Sequence, residues 1–475
     1  MGFPGKAWWA SCGAWALLAA QPAMAGADEA LRADLQRLLQ RVERLEQDNK
    51  QLRERLEQAE GERQATDKAL ATDRLSDKEP ELVTRLKAVE FQTLEMQKQA
   101  RQIEALEGVT VGAALTSVVQ SVNAAGAGEG RAQSRANYRG DVSVSLPGGD
   151  MGDIEGKLFA HFRLGQGASL ALRPTYTSTV NSTAFETAAG PDDSFAILAQ
   201  AWYQLSIPLP RGGFKPHSTR RLEINVGKID PFVFFDQNTA ADDESTRFLN
   251  NVFVHNPLLD SGGDVGADAY GFAPGVRVAY LGATSKTESW GASLGVFGAG
   301  AGANFSGSLA HPFVIGQLET AQRFFSGLPG NYRLYAWSRA RAADFDATPA
   351  RHTGWGFSAD QRINDDWTLF GRYGQQAQGR PRFDRALTLG AETDGSAWGR
   401  GADALGLAAG LLHTGAGYRE AAGAAGHERV AELYYRFHLN SRVQLTPDLQ
   451  WIQRPGGERA AATVRAFALR AKVGF

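Results

Sequence analysis

Two hydrophobic periods divide this chain. Leu31, Leu35, Leu38, Val42, Leu45, Asn49, Leu52, Leu56 and Ala59 follow one another at alternating intervals of four and three residues. Written as heptads, d is Leu31, Leu38, Leu45, Leu52 and Ala59, and a is Leu35, Val42, Asn49 and Leu56. An unbroken heptad with charged and amide flanks predicts a coiled coil. So narrow a stripe needs partner helices to bury it, so the segment implies self-association. Asn49 at an a position leans towards a dimer, while leucine at d suits several states. A homotrimer is the expectation. Pro80 breaks the pattern, and a weaker heptad through Leu82, Val89, Met96 and Ile103 runs to Glu107-Gly108.

From Val109 the period becomes two. Ala136, Tyr138, Gly140, Val142, Val144 and Leu146 alternate with polar residues, as do Leu158, Ala160, Phe162 and Leu164. The same alternation recurs through Trp355–Arg362, Trp367–Tyr373, Glu432–Phe437 and Val443–Trp451. In the last stretch Phe467, Leu469, Ala471, Val473 and Phe475 alternate with Ala466, Ala468, Arg470, Lys472 and Gly474. Strands with one apolar and one wet face, the final one ending on an aromatic residue, are the pattern of an outer-membrane β-barrel. Asn364-Asp365-Asp366 and Leu439-Asn440-Ser441 read as short turns; Thr177 to Asp193, Asp236 to Ala269 and Gln378 to Ser396 read as long loops. About fifteen strand-like segments are visible, and bacterial barrels close with an even number, so sixteen are expected. The fold class is therefore an all-β transmembrane barrel of about 16 antiparallel strands, preceded by an α-helical coiled-coil stalk.

The amino terminus adds a location. Lys6, an apolar run from Ala7 to Ala20 and then Ala23-Met24-Ala25 follow the order of a secretory signal peptide. The expected organisation is a signal peptide over 1–25, a periplasmic stalk over 26–107 and an outer-membrane barrel over 108–475. Cys12 is the only cysteine and leaves with the signal, which removes thiolate metal sites and cysteine nucleophiles. A formal charge of −2 gives no reason to expect nucleic acid as a partner. Phe475 is expected to be read by the barrel-assembly machinery.

If the apolar members face lipid, the others face a lumen. That inner set includes Arg139, Arg163, Arg362, Arg372, Glu432, Arg436, Asp448 and Gln450, with both signs present. Sixteen strands leave room for water. Mixed charges and amides suit a polar, largely neutral solute. No G-x-S-x-G nucleophile elbow is expected, and the eight histidines show no H-E-x-x-H spacing. Gly298-Ala299-Gly300-Ala301-Gly302 lacks the Lys-Ser/Thr of a phosphate loop, and Asp242-Asp243-Glu244 reads as a solvated or arginine-paired acidic loop. No enzyme activity, cofactor or metal is expected.

Two segments resemble the bacterial carbohydrate-selective porins. The first is Val226-Gly227-Lys228-Ile229-Asp230-Pro231-Phe232-Val233-Phe234-Phe235-Asp236-Gln237-Asn238, continuing through Thr246-Arg247-Phe248-Leu249-Asn250 and Asn256-Pro257. The second runs from Glu432-Leu433-Tyr434-Tyr435-Arg436 through Leu445-Thr446-Pro447-Asp448-Leu449-Gln450-Trp451 to Arg454-Pro455-Gly456-Gly457. The resemblance implies a sixteen-strand barrel whose inward-folded loops narrow the pore for sugars. It carries over Lys228, Asp230, Asp236, Asn238, Arg247 and Asn250 from the first motif, and Asp448 and Gln450 from the second, as solute-binding or constriction residues. Ile229 replaces the usual aromatic, and simpler members lack the stalk. The implied function is a passive outer-membrane porin, with saccharides as the solute class and outer-membrane lipid as the surroundings. An anion-selective or general porin is one alternative. A structural tether, with peptidoglycan as a further partner, is the other.

Overall fold

The computed structural model describes residues 108–175, 180–184, 193–211, 219–259, 265, 270–299 and 308–475. The signal peptide and coiled-coil stalk lie outside them.

Sixteen strands form a closed antiparallel barrel in chain order, β1 pairing with both β2 and β16. They are β1 (Thr110–Val122), β2 (Gln133–Met151), β3 (Ile154–Gln166), β4 (Phe195–Leu209), β5 (Arg220–Ile229), β6 (Ala273–Ala283), β7 (Ser289–Phe297) and β8 (Phe313–Phe324). Then follow β9 (Leu328–Ala343), β10 (Pro349–Arg362), β11 (Trp367–Gln378), β12 (Phe383–Gly395), β13 (Arg400–Thr414), β14 (His427–His438), β15 (Val443–Gln453) and β16 (Val464–Gly474). Closure matters physically because an open edge in hydrocarbon would leave backbone N–H and C=O groups unpaired. The last backbone amide contributes: Phe475 N donates to Ala113 O at 2.9 Å.

The dyad pattern sets which face meets lipid. On β16 Phe467 and Leu469 are 51% and 44% exposed, while Ala466, Ala468 and Arg470 between them are buried. Leu387 and Leu389 on β12, Leu407 and Leu411 on β13, and Leu449 and Trp451 on β15 face outward in the same way. No helix among the described residues is long and apolar enough to cross a membrane; the strands make the crossing.

Connections differ between the two rims. Gly152-Asp153 joins β2 to β3, Phe325–Gly327 joins β8 to β9, and Ile363–Asp366 joins β10 to β11. The opposite rim carries the longer connections, from β3 to β4 and from β5 to β6. One expected loop is corrected. Gln378 to Ser396 is mostly β12, paired with β11 and β13. Only Leu387 and Leu389 mark its lipid face strongly, and Ala386, Gly390 and Ala391 dilute the alternation.

Candidate functional site

The long β5–β6 connection begins at Asp230 and is bound along its length to inward-facing side chains of the barrel. Asp230 caps a 3-10 turn, Pro231–Val233, by accepting from Phe232 N at 2.9 Å. Its own N–H donates to Gln200 on β4. Asp236 follows, fully buried and in the left-handed region at φ 56°. Its carboxylate accepts from Tyr335 Oη at 2.7 Å, Arg372 Nε at 3.2 Å and Asn256 N at 2.5 Å. Arg372 also donates to the carbonyls of Asp236 and Phe253. Asn238 donates to Ser358 Oγ and Ala359 O, and Thr239 donates to Asp360. Two glycines make room here. A Cβ at Gly356 would meet the Tyr335 ring at 2.4 Å, and one at Gly374 would meet Asn256 at 2.5 Å.

The second half of the loop reaches the opposite strands. Glu244 accepts from Arg139 Nη1 at 2.6 Å. Arg470 donates to the carbonyls of Glu244 and Arg247 at 2.8 and 2.7 Å. Glu432 accepts from the backbone amides of Leu249 and Asn250. Asn250 donates to Gln450 at 3.0 Å and caps α1 (Asn251–Val254) through Val252 N. Gln450 also donates to Val180 O and to Asp448, so residues 180–184 of the β3–β4 connection join the same assembly. Phe235, Phe248, Phe253, Tyr335 and Tyr434 fill the space between loop and wall.

Two charged clusters keep partial access to water. In the first, Asp141 accepts from Arg139 at 2.8 Å, from Arg163 at 3.0 Å, and lies 2.9 Å from His161 Nε2. The side chains of Asp141, Glu244 and Arg163 are 19%, 18% and 16% exposed. In the second, Arg247 lies 3.9 Å from Asp242 and 3.7 Å from Glu392, and Arg436 reaches Glu392 at 3.4 Å. The Arg247 Nε makes no hydrogen bond. Next to the first cluster, Phe159 stacks on Trp202 at 4.7 Å and Phe234 meets Trp202 edge-on.

Electrostatics differ along the loop. Burial pushes the Asp230 carboxyl up to about 6, against the opposing amide of Phe232. Asp243 is also penalised by burial, yet Lys472 and the hydroxyls of Ser245 and Thr246 hold it well below the usual carboxylate range. Burial keeps His255, stacked on Phe232 at 3.8 Å, neutral.

The residues singled out by sequence thus divide. Asp236, Asn238, Asn250, Arg372, Glu432, Asp448 and Gln450 are buried and bonded within the loop-wall assembly. Arg163, Arg247 and Arg436 belong to the two accessible clusters, and Arg139 lies buried beneath the first, its side chain 5% exposed. Lys228 donates to Leu198 O and lies 5.7 Å over Phe272, the ring that Arg163 also faces. Arg362 stands apart. It binds the carbonyls of Asn364 and Asp365 in the β10–β11 turn, at the rim opposite the long loops. Arg470, Tyr335 and Glu392 were not singled out as site residues. The inward parity of Arg470 on the closing strand would have found it; nothing local marks Tyr335. The spacing G-x-S-x-G does occur, at Gly291-Ala292-Ser293-Leu294-Gly295, contrary to expectation. It lies inside β7 with Ser293 buried beside Arg277, not on a strand-to-helix turn, so it is no nucleophile elbow.

The model of the carbohydrate-selective porin, OprB family, matches residues 80–475. Curated protein sequences give no match. The fold is similar to that of Pseudomonas putida OprB in a high-pH structure, with a TM-score of 0.63 and 17% identity over 78% of this chain and 94% of that one. Two substituted forms of the Rh. blastica porin are also similar, each with a TM-score of 0.44, at 10% and 11% identity, over 77% of this chain and 100% of theirs. At 17% identity the first likeness speaks to the fold alone. Because the family match spans most of its length, the chain belongs to the carbohydrate-selective porin, OprB family.

Proposed function

We propose that the protein is a passive outer-membrane porin admitting small polar solutes, with saccharides as the solute class, through a water-filled lumen narrowed by the β5–β6 loop. The observation that carries this reading is the partly accessible cluster of Arg139, Asp141, His161, Arg163 and Glu244. Its charges are of both signs and bonded to one another, so it offers donors and acceptors with little net charge. Guanidinium and carboxylate forks of this kind match vicinal hydroxyls. The neighbouring rings of Phe159, Trp202 and Phe234 add apolar faces for a sugar ring. Family membership and the sixteen-strand barrel support the outer-membrane location.

A second reading is an anion-selective or general porin, favoured by Arg163 and Arg247 in the two accessible clusters. A third is a tether in which the stalk links the outer membrane to peptidoglycan. The stalk, the signal peptide and homotrimer formation remain sequence-based parts of the proposal. Planar-bilayer recording of the full chain separates the readings. Stable conductance steps that a sugar partly blocks support the saccharide porin. Strong anion preference without sugar block supports the second reading, and absence of conductance the third.

A further inference from the structure

The outward edge of the barrel at the long-loop rim is unevenly charged. On β1, β2, β6, β7 and β8 the outward residues near this rim are Ser121, Ser134, Val276, Val296 and Val314, and cations also stand at Lys228 on β5 and Arg351 on β10. The basic residues gather on β12, β13, β14 and β16, with Gln453 on β15 between the last two. Arg385 stands one dyad above the lipid-facing Leu387, His413 above Leu411, and Arg465 above Phe467. His427 and Arg429 hold the same face of β14 above Leu433.

Strand pairing makes these residues one row. Arg385 is the partner of His413, His413 of His427, Arg429 of Gln453, and Arg465 of Trp451. The row therefore crosses five neighbouring strands, with Gln453 and Trp451 in place of a basic residue on β15. It steps towards the middle of the strands between β14 and β16, as strand tilt requires of a level line around a barrel. Arg385 Nη2 lies 2.9 Å from His413 Nε2, and the Asp384 carboxylate, 3.5 Å from Arg385 Nε and 2.7 Å from His413 Nδ1, offsets the Arg385 charge. Arg429 donates to Gln453 at 3.3 Å. Arg385 remains 47% exposed in its side chain, and Arg429 and Arg465 are exposed.

We infer that this sector is a seat for phosphorylated lipid headgroups of the outer leaflet. The barrel places its long loops on the outer side of the membrane, so the row stands where the apolar band meets the headgroup layer. A cation on the lipid face costs far less at that depth than at the midplane. Guanidinium groups bind phosphate oxygens in fork geometry and are weakly hydrated, which suits a partly dry interface. Trp451, outward and beside Arg465, is the kind of ring that settles at such an interface. Charge complementarity thus commits the surface to an anionic headgroup. It does not depend on which solute passes through the lumen.

The test uses the full chain folded in neutral detergent. Its probes are bis-phosphorylated lipid A, the dephosphorylated form of that lipid, and inorganic phosphate. Native mass spectrometry should find the phosphorylated lipid retained, and the barrel should melt at a higher temperature with it. Arg385→Gln, Arg429→Gln and Arg465→Gln should each weaken binding roughly fivefold, the factor given by about 1 kcal/mol per cation near an anionic surface. Sugar conductance in neutral bilayers should stay as it was. Equal binding by the triple variant and the original chain overturns the inference. So does an equal response to the dephosphorylated lipid, or a full response to inorganic phosphate alone. A variant that changes oligomeric state without lipid assigns the row to a contact between copies and also overturns it. If the triple variant does not fold, salt decides: binding by the original chain must weaken as salt rises, and salt-independent binding overturns the inference.

Discussion

Arg372 on β11 and Asp236 in the β5–β6 loop form an ion pair of 3.2 Å with both side chains fully enclosed. Tyr335 Oη and the Asn256 amide complete the carboxylate's shell, and Arg372 spends its other donors on the carbonyls of Asp236 and Phe253. A buried charge with every neighbour satisfied acts here as a pin: it holds the start of the loop and the end of α1 to one wall.

Removing one partner of such a pair leaves an uncompensated charge, at a cost of roughly 3–5 kcal/mol. Arg372→Met should therefore loosen the loop and lower the melting temperature. The double change Arg372→Met with Asp236→Asn should lose less than Arg372→Met alone. A double-mutant comparison by thermal unfolding checks this; strictly additive losses would show that the two residues do not act as a pair.

Arg247 offers the opposite case. Its ion pairs are 3.7 and 3.9 Å long, and its Nε is without a hydrogen-bond partner. Arg247→Ala should leave thermal stability within about 1 kcal/mol, as expected for a loose pair near solvent. Single-channel conductance should rise, and block by sugar should weaken. Unchanged conductance and block would place Arg247 off the permeation path.

Asp230 gives a pH prediction. Burial raises its folded-state carboxyl to about 6, above the unfolded value of 3.8. The folded state then holds the extra proton, so this contribution to stability is present below the unfolded value and is lost as pH rises towards 6. The same titration adds a negative charge to the loop. Cation preference measured by reversal potential should increase from pH 5 to pH 7. Asp230→Asn should abolish that step; a step that survives in the variant belongs to another group.

Phe475 ends the closing strand, exposed and with its amide on Ala113 O. Deleting it should reduce the heat-modifiable, folded fraction in outer membranes, because both the terminal aromatic and a closing hydrogen bond are lost. Insertion at the original level would argue against a role for this residue in assembly.

The heptads from Leu31 to Ala59 predict that a peptide spanning Asp28 to Thr72 is helical, with a melting temperature that rises with concentration. Sedimentation gives the number of chains: three supports the trimer, two refutes it, and a disordered monomer refutes self-association through this segment.

The sequence by itself determined the barrel, its lipid-facing side and its strand number. Alternation is a local property: each residue's face follows from its neighbours' parity, and charge is excluded from the lipid side by solvation cost. Phe467, Leu469 and Arg470 on β16 show it directly. It failed at β12, where small residues blur the apolar set and two leucines alone carry the signal. The site was legible only as a set of inward residue types. Which of them meet was decided by closure, because the partners lie far apart along the chain: 136 residues separate Asp236 from Arg372, and 183 separate Leu249 from Glu432. Parity places Arg362 and Arg372 on the same inner face, but their height in the barrel differs. One reaches the loop and the other a turn at the far rim, a distinction that only the register between strands could make.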